Sequence, residues 1–390
     1  MSTTTNDDTI TVEAITAAYR AEQHDEKVVK AEEVPKSYEA ITDAWLTDVL
    51  CAQTPGAQVV SHSFDERDDG SSNRRRIFLT YNDAGMAAGL PATVFCKAAE
   101  ALENRLVLGL SGAAKMEADF YNKVRGRLGI EAPVTCYARF DPQTYASLIM
   151  MRDLGGSVQF CDDRTAMDFN LVAAQMRTLA ELHSPFYESP ELGSQSLPFR
   201  TWPDWWRNMI TLTPDFEASC DVAFGQSEEL MPERLFRRRA EIWPATEASV
   251  ERHNVLPRTL IHCDVHLKNW YMTADKRMGL SDFQIVSVGH WSRDVIYTIT
   301  TALTIEDRRR WEKDLVRYYL DQMAERGVPR VSEDEAWAAL RQQLMTALAF
   351  WTITLVPAEG MPAMQPERTT REFLRRLLAA IDDHDALDSF

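Results

Sequence analysis

Cysteine is scarce in this sequence, and the six cysteines that it contains stand far apart, with no Cys-x-x-Cys pair among the 390 residues. Scattered thiols are typical of a reduced compartment, and they exclude a disulfide framework and a zinc site of paired cysteines. Long apolar runs are also absent, so no segment is predicted to span a membrane. The polar, acidic first residues lack the pattern of a signal peptide. We therefore expect a cytoplasmic protein without a membrane partner.

The sequence has fewer basic than acidic residues. It contains 42 lysines and arginines and 59 aspartates and glutamates, which gives a formal net charge of −17. Binding to a nucleic-acid backbone requires clustered positive charge, and we therefore expect no nucleic-acid partner. We interpret three short arginine runs as solvated faces of helices or strands, at 74–76, 237–239 and 308–310. No Walker sequence ending in Gly-Lys-Ser or Gly-Lys-Thr is present, which excludes a Walker-type NTPase. The oligomeric state is left open.

Hydrophobic periodicity divides the chain into a β-rich first part and a helical second part. Residues 1–10 are predicted to be disordered. Residues 11–152 are predicted to contain helices at 12–22, 38–50 and 113–128, a polar turn at 65–73, and strands at 58–64, 76–81, 92–98, 134–140 and 147–151. Residues 153–390 are predicted to contain a helix with a capping-box-like start at Thr165, and further helices at 203–212, 229–253, 292–303, 305–326, 333–355 and 368–381. At this chain length two lobes are a natural outcome.

A small set of polar residues in the second half of the chain is predicted to form the reactive site. His262, Asp264, Asn269 and Asp282 are surrounded by three short apolar segments that we interpret as buried strands, at 259–261, 270–272 and 278–280. Phosphoryl transfer from Mg-ATP uses one carboxylate to accept the hydroxyl proton, and an amide and a second carboxylate to hold the metal. We therefore predict Asp264 as the catalytic base and Asn269 and Asp282 as the metal ligands. The alternatives are a solvated loop aspartate, a turn asparagine and an acid at a strand end.

The same residues resemble a known family. His262-x-Asp264-x-x-x-x-Asn269, followed by Ser281-Asp282-Phe283-Gln284, is similar to the kinases of the aminoglycoside phosphotransferase and choline kinase superfamily. The Asp-Phe-Gln ending, His266 and the segment Gly289-His290-Trp291-Ser292-Arg293-Asp294 most resemble its ecdysteroid-kinase-like branch. The resemblance runs from about residue 40 to the C-terminus. It implies an α+β, two-lobed, protein-kinase-like fold, in which a small antiparallel sheet with one main helix precedes a larger, mainly helical lobe, with the boundary near residues 151–156.

The resemblance also implies supporting roles around the loop. His262 would brace the loop through a hydrogen bond to the backbone near the metal-binding aspartate. Asp294 would accept backbone N–H bonds from the loop, which is a structural role. For His266, contact with the substrate and simple packing beside Asp264 both stay open.

A lysine and a glutamate in the first part of the chain are predicted to form an ion pair. Lys97 closes a predicted strand, while Glu117 shares one face of the next helix with Ala113, Phe120 and Val124. A buried carboxylate requires a cationic partner, because leaving it unpaired costs about 3–5 kcal/mol. Lys97 would then bind the α- and β-phosphates of the nucleotide. The alternative is an exposed lysine and an unrelated glutamate.

The rest of the nucleotide site is less well marked. A kinase phosphate loop uses several glycines, whereas residues 65–73 contain only Gly70, after four acids that would repel ATP unless they point outward. Gly70, Ser71 and Ser72 are the candidates for phosphate contacts. By the resemblance, the backbone of the segment that includes Met151 and Asp153 would bind adenine.

Nine of the ten tryptophans lie after residue 200. Trp206, Trp270, Trp291 and Trp351 are candidates for lining an apolar acceptor pocket, although packing of a helical lobe explains them equally. An aminoglycoside, as a polycation, would require an acid-lined cleft, and we interpret the acidic residues at 382–388 as a solvated end. A small molecule with apolar bulk is therefore favoured.

The predicted function is an ATP- and Mg-dependent phosphotransferase that phosphorylates a hydroxyl group of a small molecule with apolar bulk. One alternative is an antibiotic phosphotransferase of the aminoglycoside type. Another is a catalytically silent nucleotide-binding protein, which only the glycine-poor loop supports. A protein kinase is disfavoured, since no arginine precedes Asp264 and no Ala-Pro-Glu segment follows Asp282. The sequence does not distinguish ATP from GTP.

Overall fold

A computed structural model describes residues 10–357 and 364–390. The chain divides into two compact units, Met1–Asn122 with Val134–Leu154 and Lys123–Pro133 with Gly155–Phe390. The predicted α+β fold class, a small antiparallel sheet followed by a larger and mainly helical part, is confirmed. The predicted disordered tail, apart from residue 10, lies outside the described residues. Within the described ranges, no helix combines the length and the apolar composition that crossing a membrane requires.

The first unit combines short helices with one antiparallel sheet. Its helices are α1 (Val12–Ala21), α2 (Asp43–Leu50), α3 (Asp83–Ala87), α4 (Leu102–Leu110) and α5 (Ala113–Asp119). Its strands are β1 (Val59–Phe64), β2 (Asp68–Asp69), β3 (Asn73–Tyr81), β4 (Thr93–Ala98), β5 (Thr135–Phe140) and β6 (Ser147–Arg152). In the described part of this unit the sheet has six strands in the order β1-β3-β4-β6-β5, with β2 paired to β3.

The core of the first unit lies on one face of this sheet. Burial alternates along β4, so that Val94 and Cys96 enter a cluster with Trp45 of α2 and Leu148 of β6. Since successive strand residues point to opposite faces, Lys97 projects from the other face of the sheet.

Three predictions for this unit are wrong in detail. The helix predicted from residue 38 begins at Asp43, because the extended Thr42 caps it by accepting a hydrogen bond from the backbone N–H of Trp45. The polar turn predicted at 65–73 contains β2, which pairs with the start of β3. The single helix predicted at 113–128 is the shorter α5, followed by a π-helical turn at Phe120–Val124 and a 3-10 turn at Arg125–Arg127. The helix α4 before it was not predicted, and Gly112, at a φ of 79° that favours glycine, precedes α5.

The second unit is mainly helical. Its helices are α6 (Phe169–His183), α7 (Trp202–Leu212), α8 (Phe216–Gln226), α9 (Glu233–Arg237), α10 (Ile242–Glu251), α11 (Ser292–Ala302), α12 (Ile305–Glu325), α13 (Glu333–Leu355) and α14 (Glu367–Asp383). Its strands are β7 (Val158–Phe160), β8 (Thr259–Ile261), β9 (Trp270–Thr273), β10 (Met278–Leu280) and β11 (Ser287–Gly289). They form two small antiparallel sheets, β10-β9-β7 and β11-β8. The ring of Tyr271 on β9 packs directly over Gly279 on β10. A Cβ at position 279 would lie 2.2 Å from this ring, so only glycine fits there.

Several predictions for the second unit also need correction. The N-cap of α6 is Asp168, which accepts a hydrogen bond from the backbone N–H of Leu171, and not Thr165. The long helix predicted at 229–253 is broken into α9, α10 and short turns, with Pro232 as the N-cap of α9. α8, β7 and β11 were not predicted.

The acidic end of the chain is a set of ion pairs and not a solvated tail. Asp383 binds Arg308 and Arg309, while Asp382 and Asp385 bind Arg234. Arg308 is 1% exposed, so the arginine run at 308–310 is not a fully solvated face. These carboxylates are therefore balanced by nearby arginines.

A buried histidine makes the stability of this unit sensitive to pH. His253 shares a hydrogen bond with Oε1 of Gln343 at 2.7 Å through Nε2, and its Nδ1 accepts one from the backbone N–H of His290. Burial lowers the pKa of His253 from 6.5 to about 3. Between these two values the unfolded chain binds a proton that the folded chain does not bind. Acidification should therefore lower the free energy of unfolding by about 1.4 kcal/mol per pH unit from this group.

The variant His253→Gln tests this dependence. Urea unfolding measured across that pH range should show a slope against pH that is smaller by about 1.4 kcal/mol per pH unit than the slope of the wild type. An unchanged slope would show that His253 is not a buried neutral group.

Candidate active site

The loop after β8 is held by an aspartate at the start of α11. The Asp294 carboxylate is fully buried and accepts hydrogen bonds from the backbone N–H groups of His262 at 2.7 Å and Cys263 at 2.9 Å. Burial tends to raise the pKa of Asp294, but the hydrogen bond and charge of His183 lower it below its ordinary value. Asp294 is therefore an ionised anchor for the loop, in the position that the sequence analysis expects.

This anchoring imposes an unusual backbone conformation. Cys263 has a φ of 70°, and Asp282 has a φ of 68°. A left-handed conformation costs roughly 1–2 kcal/mol for a residue other than glycine, and such strain is concentrated at functional sites. Arg293 helps to hold Cys263 in place by donating a hydrogen bond to its carbonyl oxygen at 3.0 Å.

His262 connects the loop to the segment that carries Asp282. Its Nδ1 accepts a hydrogen bond from the backbone N–H of Asp264 at 3.1 Å, so its Nε2 carries the proton and donates to the carbonyl oxygen of Ser281 at 3.0 Å. Burial lowers the pKa of His262, and the ring is therefore neutral. These contacts are those of a structural brace, as predicted.

Asp264 and Asn269 are in direct contact. The side-chain amide of Asn269 donates to the backbone oxygen of Asp264 at 2.7 Å and to its Oδ2 at 3.1 Å. Nε2 of His266 lies 3.5 Å from the same Oδ2. Burial would raise the pKa of Asp264, but the neighbouring His266, through its hydrogen bond, lowers it to about 2. Asp264 is therefore a carboxylate at neutral pH.

Asp282 is brought to Asn269 by the pairing of β9 with β10. The residue before it, Ser281, donates hydrogen bonds from its backbone N–H and from its hydroxyl to the carbonyl oxygen of Asn269, both at 2.9 Å. Since the nitrogen of the Asn269 side chain is used by Asp264, its Oδ1 is the atom that is left to bind a cation. The loop thus places the Asn269 amide in contact with Asp264, and it holds the residue before Asp282 against the backbone of Asn269.

An apolar cavity of about 210 Å³ adjoins this loop. Asp264, His266 and Tyr297 are among its polar lining residues. Apolar walls come from α7, α8, α13 and the chain before β11, namely Trp205, Met209, Phe216, Ile285, Phe350 and Trp351. Among the described residues that line it, Asp264 is the only acid, and lysine and arginine do not occur. Such a cavity suits an uncharged, apolar molecule with a hydroxyl group near Asp264.

Three of the four tryptophans predicted to line an apolar acceptor pocket do not line this cavity. Trp206 donates its N–H to Glu247, Trp270 donates to the backbone oxygen of Val265, and Trp291 packs against the tilted ring of Tyr319. All three are at most 2% exposed and belong to the packed interior. Trp351 does line the cavity, whereas Phe350 and Tyr297 were missed. The position of Tyr297 on α11, three residues after Asp294, was the available signal.

In the first unit, Lys97 and Glu117 form the predicted ion pair. Nζ of Lys97 lies 2.8 Å from Oε1 of Glu117, and the two side chains are 12% and 3% exposed. An ion pair this well buried keeps the ammonium group in one place. Lys97 lies on β4 and Glu117 on α5, so the pair links the sheet to this helix.

The predicted phosphate loop is the turn between β2 and β3. The N–H of Gly70 already donates to the backbone oxygen of Ser72, and Ser72 is 4% exposed, so of the three candidates Ser71 is the most accessible donor. The acids before this turn are partly neutralised, since Asp68 pairs with Arg74 and Asp69 with Arg67.

The predicted adenine segment lies at the end of β6. Met151 is buried in this strand, opposite Phe95 of β4. Asp153 follows the last residue of the strand, and its carboxylate accepts a hydrogen bond from Nε of Arg76 at 2.8 Å. Adenine binding by this segment stays a prediction.

A family model described as the phosphotransferase enzyme family matches residues 109–333, more than half of the chain. The matched region contains Glu117, Asp264, Asn269 and Asp282, whereas Lys97 and Trp351 lie outside it. No curated protein sequence matches the chain at a significant level.

Several solved structures are similar in fold at low sequence identity. An ethanolamine kinase of Plasmodium vivax is 11% identical, with 82% of this chain and 81% of that chain covered and a TM-score of 0.45. A choline kinase of Streptococcus pneumoniae is 12% identical, with coverages of 88% and 98% and a TM-score of 0.46. A macrolide 2'-phosphotransferase of Brachybacterium faecium is 14% identical, with coverages of 83% and 95% and a TM-score of 0.46. On the family match, the chain belongs to the phosphotransferase enzyme family, and the predicted enzyme class, a small-molecule kinase, is confirmed.

Proposed function

We propose that the chain, with Mg²⁺ bound, transfers the γ-phosphoryl group of ATP to a hydroxyl group of a small, uncharged molecule with apolar bulk. The observation that carries this proposal is the position of Asp264, an ionised carboxylate on the wall of a mainly apolar cavity. The cytoplasmic location and the ecdysteroid-kinase-like branch stay predictions from the sequence.

In this proposal Asp264 acts on the acceptor. Its carboxylate accepts a hydrogen bond from the acceptor hydroxyl and takes the proton as the new oxygen–phosphorus bond forms and the bond between the γ-phosphorus and the bridging oxygen of ADP breaks. Phosphoryl transfer has a loose transition state, so orientation of the nucleophile matters more than the strength of the base. A carboxylate whose pKa is about 2 suits that task.

Asn269 and Asp282 are the proposed ligands of Mg²⁺. Hard oxygen donors fit this ion, which in phosphoryl-transfer enzymes is held by one or two carboxylates together with phosphate oxygens. The amide of Asn269 is oriented by Asp264, and Asp282 directly follows Ser281, which is hydrogen-bonded to Asn269. When bound, the ion neutralises charge that develops on the phosphoryl oxygens.

Lys97 is the proposed ligand of the nucleotide phosphates. The variant Lys97→Met should lower kcat for ADP formation by roughly 10²- to 10³-fold, the cost of removing one preorganised electrostatic partner of the transition state. Lys115→Met is the matched control, because Lys115 lies on α5 near Glu117 but is exposed and paired with Asp119. Equal losses in both variants, measured by steady-state ADP release, would contradict the role of Lys97.

The acceptor class is tested by comparing uncharged and cationic alcohols. ADP release with Mg-ATP would be measured with 2-phenylethanol and cyclohexanol, and in parallel with kanamycin and choline. We expect the uncharged alcohols to accelerate ADP release, because a polycation would find only one carboxylate among the described lining residues. Acceleration by kanamycin alone would favour the antibiotic phosphotransferase, and acceleration by choline alone would also contradict an uncharged acceptor.

A further inference from the structure

A hydrogen bond from α13 ends on a phenol that lies beside the proposed base. Nε1 of Trp351 donates to the phenolic oxygen of Tyr297 at 2.8 Å, and Tyr297 and Asp264 both line the apolar cavity. Trp351 is 2% exposed and Tyr297 is 1% exposed. Neither residue belongs to the sequence pattern around the catalytic loop.

The direction of this chain follows from the chemistry of its members. An indole N–H can only donate, so the phenolic oxygen accepts from Trp351 and its own O–H is left to donate to another acceptor. The Asp264 carboxylate lies on the same cavity wall and is the acceptor that we assign to it. An ionised carboxylate can only accept. Burial and the charge of Asp264 raise the pKa of Tyr297 well above its usual range, so the phenol keeps its proton. Each hydrogen bond polarises the next one toward the carboxylate.

The same side chains line the apolar cavity. Asp264, His266, Tyr297 and Trp351 all lie on its wall. The ring of His266 is 5.3 Å from the ring of Trp351, and its Nε2 is 3.5 Å from Oδ2 of Asp264. A molecule that enters the cavity and contacts Trp351 therefore contacts a side chain that is hydrogen-bonded to the phenol beside the base.

We propose that Tyr297 and Trp351 are positioning residues that act through Asp264 and couple occupancy of the acceptor cavity to the orientation of the base. This inference rests on the proposed function, in which Asp264 accepts the proton of the acceptor hydroxyl. Asn269 and His266 lie against Oδ2 of Asp264, and in this proposal the remaining O–H of Tyr297 is a further donor to the carboxylate. Together the donors keep the carboxylate in one orientation, which is a precondition for fast transfer.

A double-mutant cycle tests the relay. With Mg-ATP and water as the acceptor, Tyr297→Phe should lower kcat for ADP release about tenfold, the equivalent of one hydrogen bond to a charged group, with KM for ATP unchanged. Trp351→Phe should also lower kcat, but it should cause no further loss in the Tyr297→Phe background, since Trp351 acts through the phenol. Two losses that multiply would overturn the relay.

The control for the loss of a buried phenol is Tyr271→Phe. The hydroxyl of Tyr271 is hydrogen-bonded to Oε1 of Glu131 at 3.1 Å, on a strand of the same unit, and not to Asp264. This variant should keep the kcat of the wild type. If Tyr271→Phe and Tyr297→Phe lose kcat equally, the effect of Tyr297 is general destabilisation and the proposal fails.

A spectroscopic measurement tests the relay without any turnover. The indole N–H resonance of Trp351, identified by its absence in Trp351→Phe, should shift in Tyr297→Phe and also in Asp264→Asn, although Asp264 does not bond to the indole. The indole N–H of Trp206 is the internal control, because it donates to Glu247 at 2.9 Å. It should not shift in either variant. A Trp351 resonance that stays in place in Asp264→Asn would overturn the relay.

Occupancy of the cavity is tested with the same resonances. Adding 2-phenylethanol to the wild type should shift the indole N–H of Trp351 and leave that of Trp206 in place, and an unshifted Trp351 resonance at saturating alcohol would overturn the coupling. Failure of the relay and failure of the proposed function are distinguishable. Wild-type ADP release that is unchanged by Tyr297→Phe overturns the relay alone, whereas the absence of ADP release in the wild type overturns both.

Discussion

Replacing Asp264 by alanine is expected to lower kcat for ADP release by at least about 100-fold, because a well-placed general base contributes about 10²–10⁴ in rate. Nucleotide binding should survive, since Asp264 contacts the acceptor and not the phosphates in the proposed mechanism. Asp264→Asn should show a similar loss, because the amide keeps the shape of the side chain but cannot take a proton. Steady-state ADP release and nucleotide titration measure the two effects separately.

The control for this variant is Asp275→Ala. Asp275 is an exposed acid in the turn between β9 and β10, where it pairs with Arg277. It should keep wild-type turnover, because its carboxylate is used in that turn. Wild-type turnover in Asp264→Ala would show that Asp264 is not the base. The assignment of the adjacent cavity as the acceptor site would then fail as well.

Replacing Asp282 by asparagine is expected to remove the effect of Mg²⁺ on nucleotide binding. Asp282 has a φ of 68°, and asparagine tolerates this conformation better than most residues, so the backbone should be kept while one negative charge is lost. Even changes outside the ligand shell lower metal affinity by about 10- to 100-fold, and a change of ligand should cost at least as much.

Calorimetric titration with ATP, with and without Mg²⁺, measures this effect. The wild type should bind ATP more tightly with the metal, whereas Asp282→Asn should bind it equally in both conditions. Asp275→Asn is the matched control and should behave like the wild type. Tighter binding with Mg²⁺ in Asp282→Asn would contradict the assignment of the metal ligand.

The residues of the loop after β8 could be predicted from the sequence because they lie close together in the chain. His262, Asp264 and Asn269 lie within eight residues, and the hydrogen bonds among them connect residues two to five positions apart. The hydrogen bonds with Asp294 and Ser281 join the loop to residues farther along the chain. Asp282 follows a hairpin of two short strands, which the sequence predicts as short apolar segments. The positions of Lys97 and Glu117 followed in the same way from one strand and one helix face.

The cavity could not be predicted, because its walls come from helices that are far apart in the sequence. Periodicity identifies the apolar face of α7 or α13, but not the element against which that face packs. Trp206 and Trp351 therefore had the same signal in the sequence, and only the packed structure places Trp351 on the cavity and Trp206 in the interior.

The burial of charged residues could not be predicted from the sequence either. An arginine run on a helix is typically solvated, yet Arg308 is buried because Glu312 on α12 and Asp383 on α14 both bind it. Asp383 is 75 residues away in the sequence. Such a partner decides whether a charge is buried, and no local pattern reveals it.

The central claim, transfer of a phosphoryl group to an alcohol, is tested most directly by following the γ-phosphoryl group itself. ATP labelled with radioactive phosphorus at the γ position would be incubated with the protein, Mg²⁺ and 2-phenylethanol or cyclohexanol, and the products separated by chromatography. We predict label in an alcohol monophosphate for the wild type, and at most a trace of it for Asp264→Ala. Label that stays in ATP, or that is released only as inorganic phosphate, would contradict the account.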